Sequence, residues 1–352
     1  MAIRIGIIGT GGMANAHAKS YQAIKGVEVA ACMDVVADKA KAFAETYGIR
    51  HACAKFEDVF AHVDAVSIVT PDRFHAGPTL AALKAGVHVL CEKPLTTTLA
   101  EARKVAAAAA KAKAKAKGII GMVNFSYRRS AAFQKAISLV ASGAIGEVRH
   151  VHAHYLQGWL AGIREPEAGK TLAWRLQTAW GGGVLADLGC HILDLSTAVV
   201  GPVAAARCDF ANFPKIRRNG KPFIAWKKEQ MDADDTAAIH LRFASGLSFG
   251  VVHTTRWATG RGNTIRVEVH GTEGAVMFDL DRSYEQIDVF TRAKQQWKTL
   301  TLKPAPTIYQ RFIKAIRTGT ADQPDLARGA EIQGILDACA RSARSGKFET
   351  VK

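Results

Sequence analysis

Cysteine is scarce in this chain. The 352 residues hold six cysteines (Cys32, Cys53, Cys91, Cys190, Cys208 and Cys339), with no Cys-x-x-Cys pair among them. That excludes a disulfide framework and a cysteine-based zinc module, and it fits reduced thiols in the cytoplasm. Long apolar runs are also missing. No segment approaches the roughly 20 uninterrupted apolar residues of a membrane helix, so no membrane partner is expected. The opening Met-Ala-Ile-Arg-Ile-Gly-Ile-Ile-Gly runs directly into strand-like sequence. It has no basic leader region and no cleavage site, so no secretory signal is expected. Acidic residues are the minority, 31 against 47 Lys plus Arg, for a net charge of +16. Such an excess raises the question of a polyanionic partner. The densest basic block, Lys111, Lys113, Lys115 and Lys117, alternates with alanine. On a helix, residues two apart point about 200° from each other, so these lysines spread over two faces. No aromatic residues interleave with them to stack on bases, so no specific nucleic-acid partner is expected.

What is present is globular composition, 48% apolar and 22% charged, with a length suited to two domains. In residues 1–123, short β-branched apolar runs (Ile3–Ile8, Val27–Met33, Ala65–Thr70, Val87–Cys91, Ile119–Val123) alternate with helical stretches (Ala14–Ile24, Ala37–Tyr47, Pro78–Ala85, Thr98–Ala116). The alternation predicts an α/β domain, a doubly wound parallel sheet of the Rossmann type. Residues 124–352 read as an α+β domain. A helix over Ala131–Ser142 stops at Gly143, a strand follows over Val148–Gln157, and a helix is predicted over 184–200. From about 203 to 290, strands follow one another, with Ala-Ser-Gly and Gly-Thr-Glu-Gly as hairpin turns. These predict a large open, mainly antiparallel sheet. Two helices, near 307–317 and 328–345, close the chain.

Gly9-Thr10-Gly11-Gly12-Met13-Ala14 follows the first strand and opens the first helix. Small residues in this order permit a tight turn, and they let backbone N–H groups at a helix N-terminus approach a pyrophosphate. Asp34 ends the second strand at about the spacing expected for a carboxylate that accepts hydrogen bonds from ribose hydroxyls. It would repel a 2′-phosphate, and the next residues, Val35 and Val36, supply no cation. The pattern favours NAD over NADP.

Two further motifs carry chemistry. Glu92-Lys93-Pro94 closes the fifth strand, and carboxyl ends of strands are where open α/β sheets bind ligands. Asp187 and His191 sit four residues apart on the predicted 184–200 helix, so both would share one face. A carboxylate and an imidazole facing one cleft suit proton transfer near neutral pH.

Taken together, Gly9–Ala14, Thr70-Pro71, Glu92-Lys93-Pro94 and Gly181–Asp194 resemble the Gfo/Idh/MocA family of NAD(P)-dependent oxidoreductases, over nearly the whole chain. The resemblance implies hydride transfer between a nicotinamide and a secondary alcohol of a sugar, sugar derivative or cyclitol, with Lys93, Asp187 and His191 as the catalytic set and no metal. It implies cofactor contacts from Gly9, Thr10, Gly11, Gly12, Met13, Asp34, Thr70, Pro71, His75, Glu92, Lys93, Trp174 and Arg175. Asp72 stands where the family more often has Asn. Arg128, Tyr155 and Trp159 are candidates to line a sugar pocket beside Lys93, Asp187 and His191. Either His191 takes the hydroxyl proton while the Lys93 ammonium stabilises the alkoxide, or Lys93 is the base and the Asp187–His191 pair orients the sugar. His150, His152 and His154 alternate on one strand face; they read as sheet-face residues before zinc ligands. Other readings of the same fold are an NAD-dependent glycoside hydrolase or lyase working by transient oxidation, and a sugar-sensing regulator. The latter class often loses the lysine or the histidine that this chain keeps. A homodimer or homotetramer through the exposed sheet face is expected.

Overall fold

The computed structural model describes residues 2–115, 118–161, 173–213 and 231–352. The chain divides into two compact units, one of Met1–Ser126 with Pro306–Gln333 and the other of Tyr127–Ala305 with Gly334–Lys352.

The first unit is built on six strands, β1 (Ile3–Ile8), β2 (Val27–Met33), β3 (His51–Cys53), β4 (Ala65–Ile68), β5 (His88–Cys91) and β6 (Gly121–Val123). Their order is β3-β2-β1-β4-β5-β6 and every pairing is parallel. Between them run α1 (Gly12–Gln22), α2 (Ala37–Tyr47), α3 (Phe56–Val59), α4 (Ala76–Ala85) and α5 (Leu99–Lys115). The predicted doubly wound sheet is present. The central strands are buried across Ile5–Ile8 and Ala65–Ile68, which is why they read as continuous apolar runs. Strand β3 is a three-residue edge with half-exposed side chains, too short to show a period. The order reverses between β1 and β4, so their carboxyl ends open a crevice. Gly9 sits there with φ +93°, and a Cβ on it would lie 2.9 Å from the Val69 carbonyl oxygen.

The second unit carries α6 (Ala131–Ala141), α7 (Cys190–Val200) and nine strands: β7 (Val148–Leu156), β8 (Val203–Ala211), β9 (Thr236–Phe243), β10 (Phe249–Thr255), β11 (Thr264–Gly271), β12 (Gly274–Asp279), β13 (Gln286–Thr291), β14 (Gln296–Thr301) and β15 (Glu349–Thr350). The order is β14-β13-β12-β11-β7-β10-β9-β8-β15. The β7–β10 pair is parallel and the others are antiparallel. In β9, Ala237, Ile239, Leu241 and Phe243 are buried while Ala238, His240 and Arg242 are exposed. The sheet therefore covers a core with one face.

Two expectations are corrected. The 184–200 segment is not one α-helix: Leu185–Gly189 forms a π-helical turn that leads into α7. The wider turn displaces Asp187 from the α-helical register that its spacing to His191 implies. The second concerns the boundary at 123/124, which gave every later residue to the second domain. Helix α8 (Ile308–Thr318) instead belongs to the first unit, and α9 (Leu326–Ser345) begins there. Ile308, Tyr309, Phe312 and Ile313 form an apolar stripe that joins Ile5, Ile7, Tyr21 and Leu90 in one core. A Thr307–Gln310 capping box starts this helix.

Candidate active site

The glycine loop is pre-shaped by Asp34. One carboxylate oxygen accepts the Thr10 main-chain N–H at 2.9 Å and the Thr10 hydroxyl at 2.8 Å, and the other accepts the Val36 N–H at 3.0 Å. Burial opposes ionisation of Asp34, but these hydrogen bonds and nearby Lys39 outweigh it and lower its pKa. Gly11 is the N-cap of α1 with no side-chain cap, and a Cβ on Gly11 or Gly12 would meet nothing within 4 Å. Met13 is 51% exposed, Val35 88% and Phe74 48%. Open glycines at a helix N-terminus, an ionised carboxylate at the end of β2 and three exposed apolar side chains fit a dinucleotide.

His75 plays a different part from the one expected. His75 is fully buried, with Nδ1 2.8 Å from the Pro94 carbonyl oxygen and Nε2 2.8 Å from that of Thr70. Burial alone would lower this imidazole's pKa. The Cys91 thiol, Asp72 and the Pro94 carbonyl reverse that and raise it to about 10. Both ring nitrogens face acceptors, so the charged form satisfies both. His75 does not present itself to a cofactor; it straps the Thr70 turn to the turn that carries Lys93.

Glu92 is likewise turned inward. Its Oε1 accepts from His17 Nε2 at 2.8 Å and from Asn124 Nδ2 at 2.5 Å, and its Oε2 accepts the Lys93 main-chain N–H at 3.1 Å. His17 Nδ1 lies 2.7 Å from Ser67 Oγ, and Asn124 Nδ2 lies 3.3 Å from Tyr309 Oη. Burial alone would raise the Glu92 pKa, but His17, Lys93 and Asn124 lower it to about 2. A carboxylate with an ordinary value of 4.5 when unfolded then contributes stability that is complete above pH 4.5. This contribution, about 3 kcal/mol, is lost as pH falls towards 2. Denaturant titrations should show unfolding free energy falling across that window, and Glu92→Gln should remove that part of the slope.

In the second unit, Asp234 anchors the π turn. Its main-chain oxygen accepts the Val184 N–H at 2.9 Å and its Oδ2 the Leu185 N–H at 2.8 Å. These donors have no partner inside the helix. Gly183 has φ +123°, and a Cβ there would fall 2.1 Å from Asp234 Oδ1, so both strain and space require glycine. Asp187 Oδ2 is 3.0 Å from Arg256 Nη2 and 3.3 Å from Arg175 Nε. Arg256 is fully buried; it also donates to the carbonyls of Arg175 at 2.8 Å and Gly183 at 3.2 Å. Arg256 is the main residue that sequence reasoning missed. It follows β10 in the run Thr254-Thr255-Arg256-Trp257, with no motif to distinguish it from a surface cation.

His191 is buried, its ring edge-on to Tyr127 at 4.7 Å between centroids and 6.2 Å from Tyr155. The Tyr155 hydroxyl is 2.6 Å from the Tyr127 hydroxyl and donates to Asn263 Oδ1 at 2.8 Å. Gln157 Nε2 donates to Tyr155 Oη at 3.1 Å and to Asn263 Oδ1 at 2.6 Å, while Trp159 Nε1 donates to Gln157 Oε1 at 2.8 Å. Burial and Tyr127 push the Tyr155 phenol up, so it stays neutral. The structure thus joins Asp187 with Arg175 and Arg256, and it groups His191 with Tyr127, Tyr155, Gln157 and Trp159. Tyr127, Gln157 and Asn263 carried no signal in the sequence.

Arg128 is corrected outright. Its Nε and Nη2 each donate to Asp194 at 2.7 Å, and the pair is buried. A guanidinium spent on a buried bidentate partner does not line a sugar pocket. Arg175, expected at the cofactor, pairs with Asp187. The side chain of Trp174 lies outside the described residues, as do Lys117 and the side chains of Lys113 and Lys115. Among the described residues, no group of three or more His, Cys, Asp or Glu could hold a metal ion. His152 is exposed and His150 and His154 half-buried, all three on one face of β7.

A doubly wound parallel sheet with a glycine loop and an acidic residue ending β2, joined to an open mixed sheet, defines a nicotinamide-dependent oxidoreductase. The model of the oxidoreductase family with an NAD-binding Rossmann fold matches residues 3–138, and that of the GFO/IDH/MocA C-terminal domain matches residues 133–277. The chain belongs to the Gfo/Idh/MocA family. It is similar to levoglucosan dehydrogenase of Pseudarthrobacter phenanthrenivorans, at 30% identity over 97% of this chain and 96% of that protein. It is also similar to 1,5-anhydro-D-fructose reductase of Ensifer adhaerens, at 32% identity over 78% and 75%. The solved structure of a levoglucosan dehydrogenase in complex with NADH and levoglucosan superposes with a TM-score of 0.85 at 29% identity, covering 100% of both chains. The chain is an NAD(P)-dependent dehydrogenase acting on CH–OH groups.

Proposed function

We propose that this enzyme oxidises a secondary alcohol of an uncharged sugar, sugar derivative or cyclitol, with Lys93, Asp187 and His191 as its catalytic residues and NAD preferred over NADP. The observation that carries the reading is the Asp187–His191 pair set in a neutral polar wall: a carboxylate held by two guanidiniums, and an imidazole beside linked Tyr127, Tyr155, Gln157 and Trp159 side chains. Alternating donors and acceptors with aromatic faces suit a polyhydroxylated ligand. Levoglucosan, bound in one relative's structure, is of that class.

In this reading His191 takes the hydroxyl proton, Asp187 orients the substrate, and the Lys93 ammonium stabilises alkoxide character. When bound, the nicotinamide supplies the hydride acceptor. Asp34 supports NAD, because its ionised carboxylate would meet a 2′-phosphate with like charge and the exposed Val35 and Val36 offer no cation. That none of the six cysteines is in a disulfide supports a cytoplasmic setting. The exposed face of β9 supports assembly of two or four copies through the sheet.

The test is a reduced-cofactor screen, with NAD and NADP in parallel, over anhydrosugars, monosaccharides, uronic acids and inositols. A neutral sugar or cyclitol should be oxidised with kcat/KM at least about 10-fold higher for NAD. Turnover confined to charged substrates, or none, would defeat the reading.

A further inference from the structure

Six of the chain's 12 histidines stand together on one surface, the face of the second sheet turned away from its core. His150, His152 and His154 lie on β7, His240 on β9, His253 on β10 and His270 on β11. Strand register sets them side by side: His154 is opposite His253, His150 is opposite His270, and His152 and His240 flank Val251. The rings of His152 and His154 are 6.1 Å apart between centroids, as are those of His150 and His270. Strand β7 is the fifth of nine, so the cluster occupies the middle of the sheet.

The same register places the charged neighbours. Glu268 and Arg266 of β11 lie beside β7, with His270 Nε2 3.2 Å from Glu268 Oε1. Asp279 of β12 follows, then Asp288 of β13 with Arg282 at 2.8 Å. On the other side are Arg242 of β9 and Arg207 and Asp209 of β8. Among the described residues on these strands, four arginines therefore balance four carboxylates, in a chain whose net charge is +16. An average face of so basic a chain repels its own copy; this face does not while its imidazoles are neutral. The area is also sufficient. Nine strands about 4.8 Å apart, each about six residues long, offer roughly 40 by 20 Å, the roughly 800 Å² per copy that a stable protein pair buries. Phe249 and Trp297, 39% and 47% exposed, supply apolar contacts. In a two-fold pair centred on β7, the histidines of one copy meet those of the other.

We propose that this histidine cluster is a proton switch on self-association: two copies of the chain pair through these sheet faces while the imidazoles are neutral, and separate when they are protonated. This rests on the reading that copies assemble through the sheet and adds the condition that controls it. Protonation would add positive charge to a balanced face at its centre, where pairing excludes water. Burial, then neighbouring imidazoles, lower the pKa of His150, His154 and His253 below the ordinary 6.5. Pairing buries them further, so the separated copies bind protons more readily and pairing weakens as pH falls.

The test is sedimentation equilibrium of the full chain from about pH 8 to about pH 5.5 at fixed ionic strength, with circular dichroism reporting the fold. The wild type should pair at pH 8, and its Kd should rise at least about 100-fold by pH 5.5 with the fold intact. The variant with exposed His152, His240 and His253 all changed to Asn should keep most of its pairing at pH 5.5. Val251→Arg, at the centre of the cluster, should be monomeric at every pH. Wild-type pairing that is equally tight at both pH values overturns the switch and leaves assembly standing. A wild type that is monomeric at pH 8 overturns the assembly reading itself, and pairing that survives Val251→Arg lies on another face and overturns both. Should the triple variant not pair at pH 8, the single variant His240→Asn decides: a dependence of Kd on pH as steep as that of the wild type overturns the switch, and a shallower one supports it.

Discussion

Lys93→Ala is expected to lower kcat by roughly 10³-fold or more, which corresponds to at least about 4 kcal/mol of transition-state stabilisation. NAD affinity should stay within about threefold. The size of the effect follows from the proposed role. An ammonium aimed at an oxygen that gains negative charge as hydride leaves acts mainly in the transition state, so its loss falls on kcat rather than on binding. The fold should tolerate the change. Lys93 is only half-buried, while the groups that shape its turn are elsewhere: Glu92 holds its main-chain N–H, and the His75 strap holds Pro94. The measurement is steady-state turnover beside a fluorescence titration of NAD. Unchanged turnover would remove Lys93 from the mechanism. Loss of NAD binding in parallel would assign it to the cofactor instead.

Arg128→Met is expected to destabilise the protein by about 3–5 kcal/mol, because it leaves the Asp194 carboxylate buried at 1% side-chain exposure without its bidentate partner. Melting temperature should fall by roughly 10 °C for a unit of this size. The double variant Arg128→Met with Asp194→Leu should recover most of the loss, since an apolar pair of similar volume removes both buried charges. A residue that bound sugar would behave otherwise. Its removal would raise KM at little change in melting temperature, and the second substitution would rescue nothing. Calorimetry on the two variants, with KM in the single one, separates the roles.

Much of this protein was legible from local pattern. The apolar β-branched strands, the alanine-rich helices and the small-residue loop at Gly9–Ala14 each state their conformation within a dozen residues, and β1, β2 and α2 fall within the predicted bounds. Strand β3 and the π turn at Leu185–Gly189 did not, the one because three edge residues show no period, the other because a π turn is set by what caps it. Its cap is Asp234, some fifty residues away.

The candidate site divides the same way. That Lys93, Asp187 and His191 are the candidates for the chemistry was readable, because each sits in a short motif whose meaning is local. What surrounds them was not. Arg256 looks like any cation until the fold buries it against Asp187. Arg128 looks like a sugar ligand until it meets Asp194, and His75 and Glu92 look like cofactor contacts until their polar atoms prove to be spent inside. The amino-acid sequence by itself determined the two sheets and the glycine loop and named the candidate reactive groups. Only the tertiary structure decided which charged side chains are braces and which are left to act. Burial and pairing are properties of residues brought together from distant parts of the chain, and no local spacing encodes them.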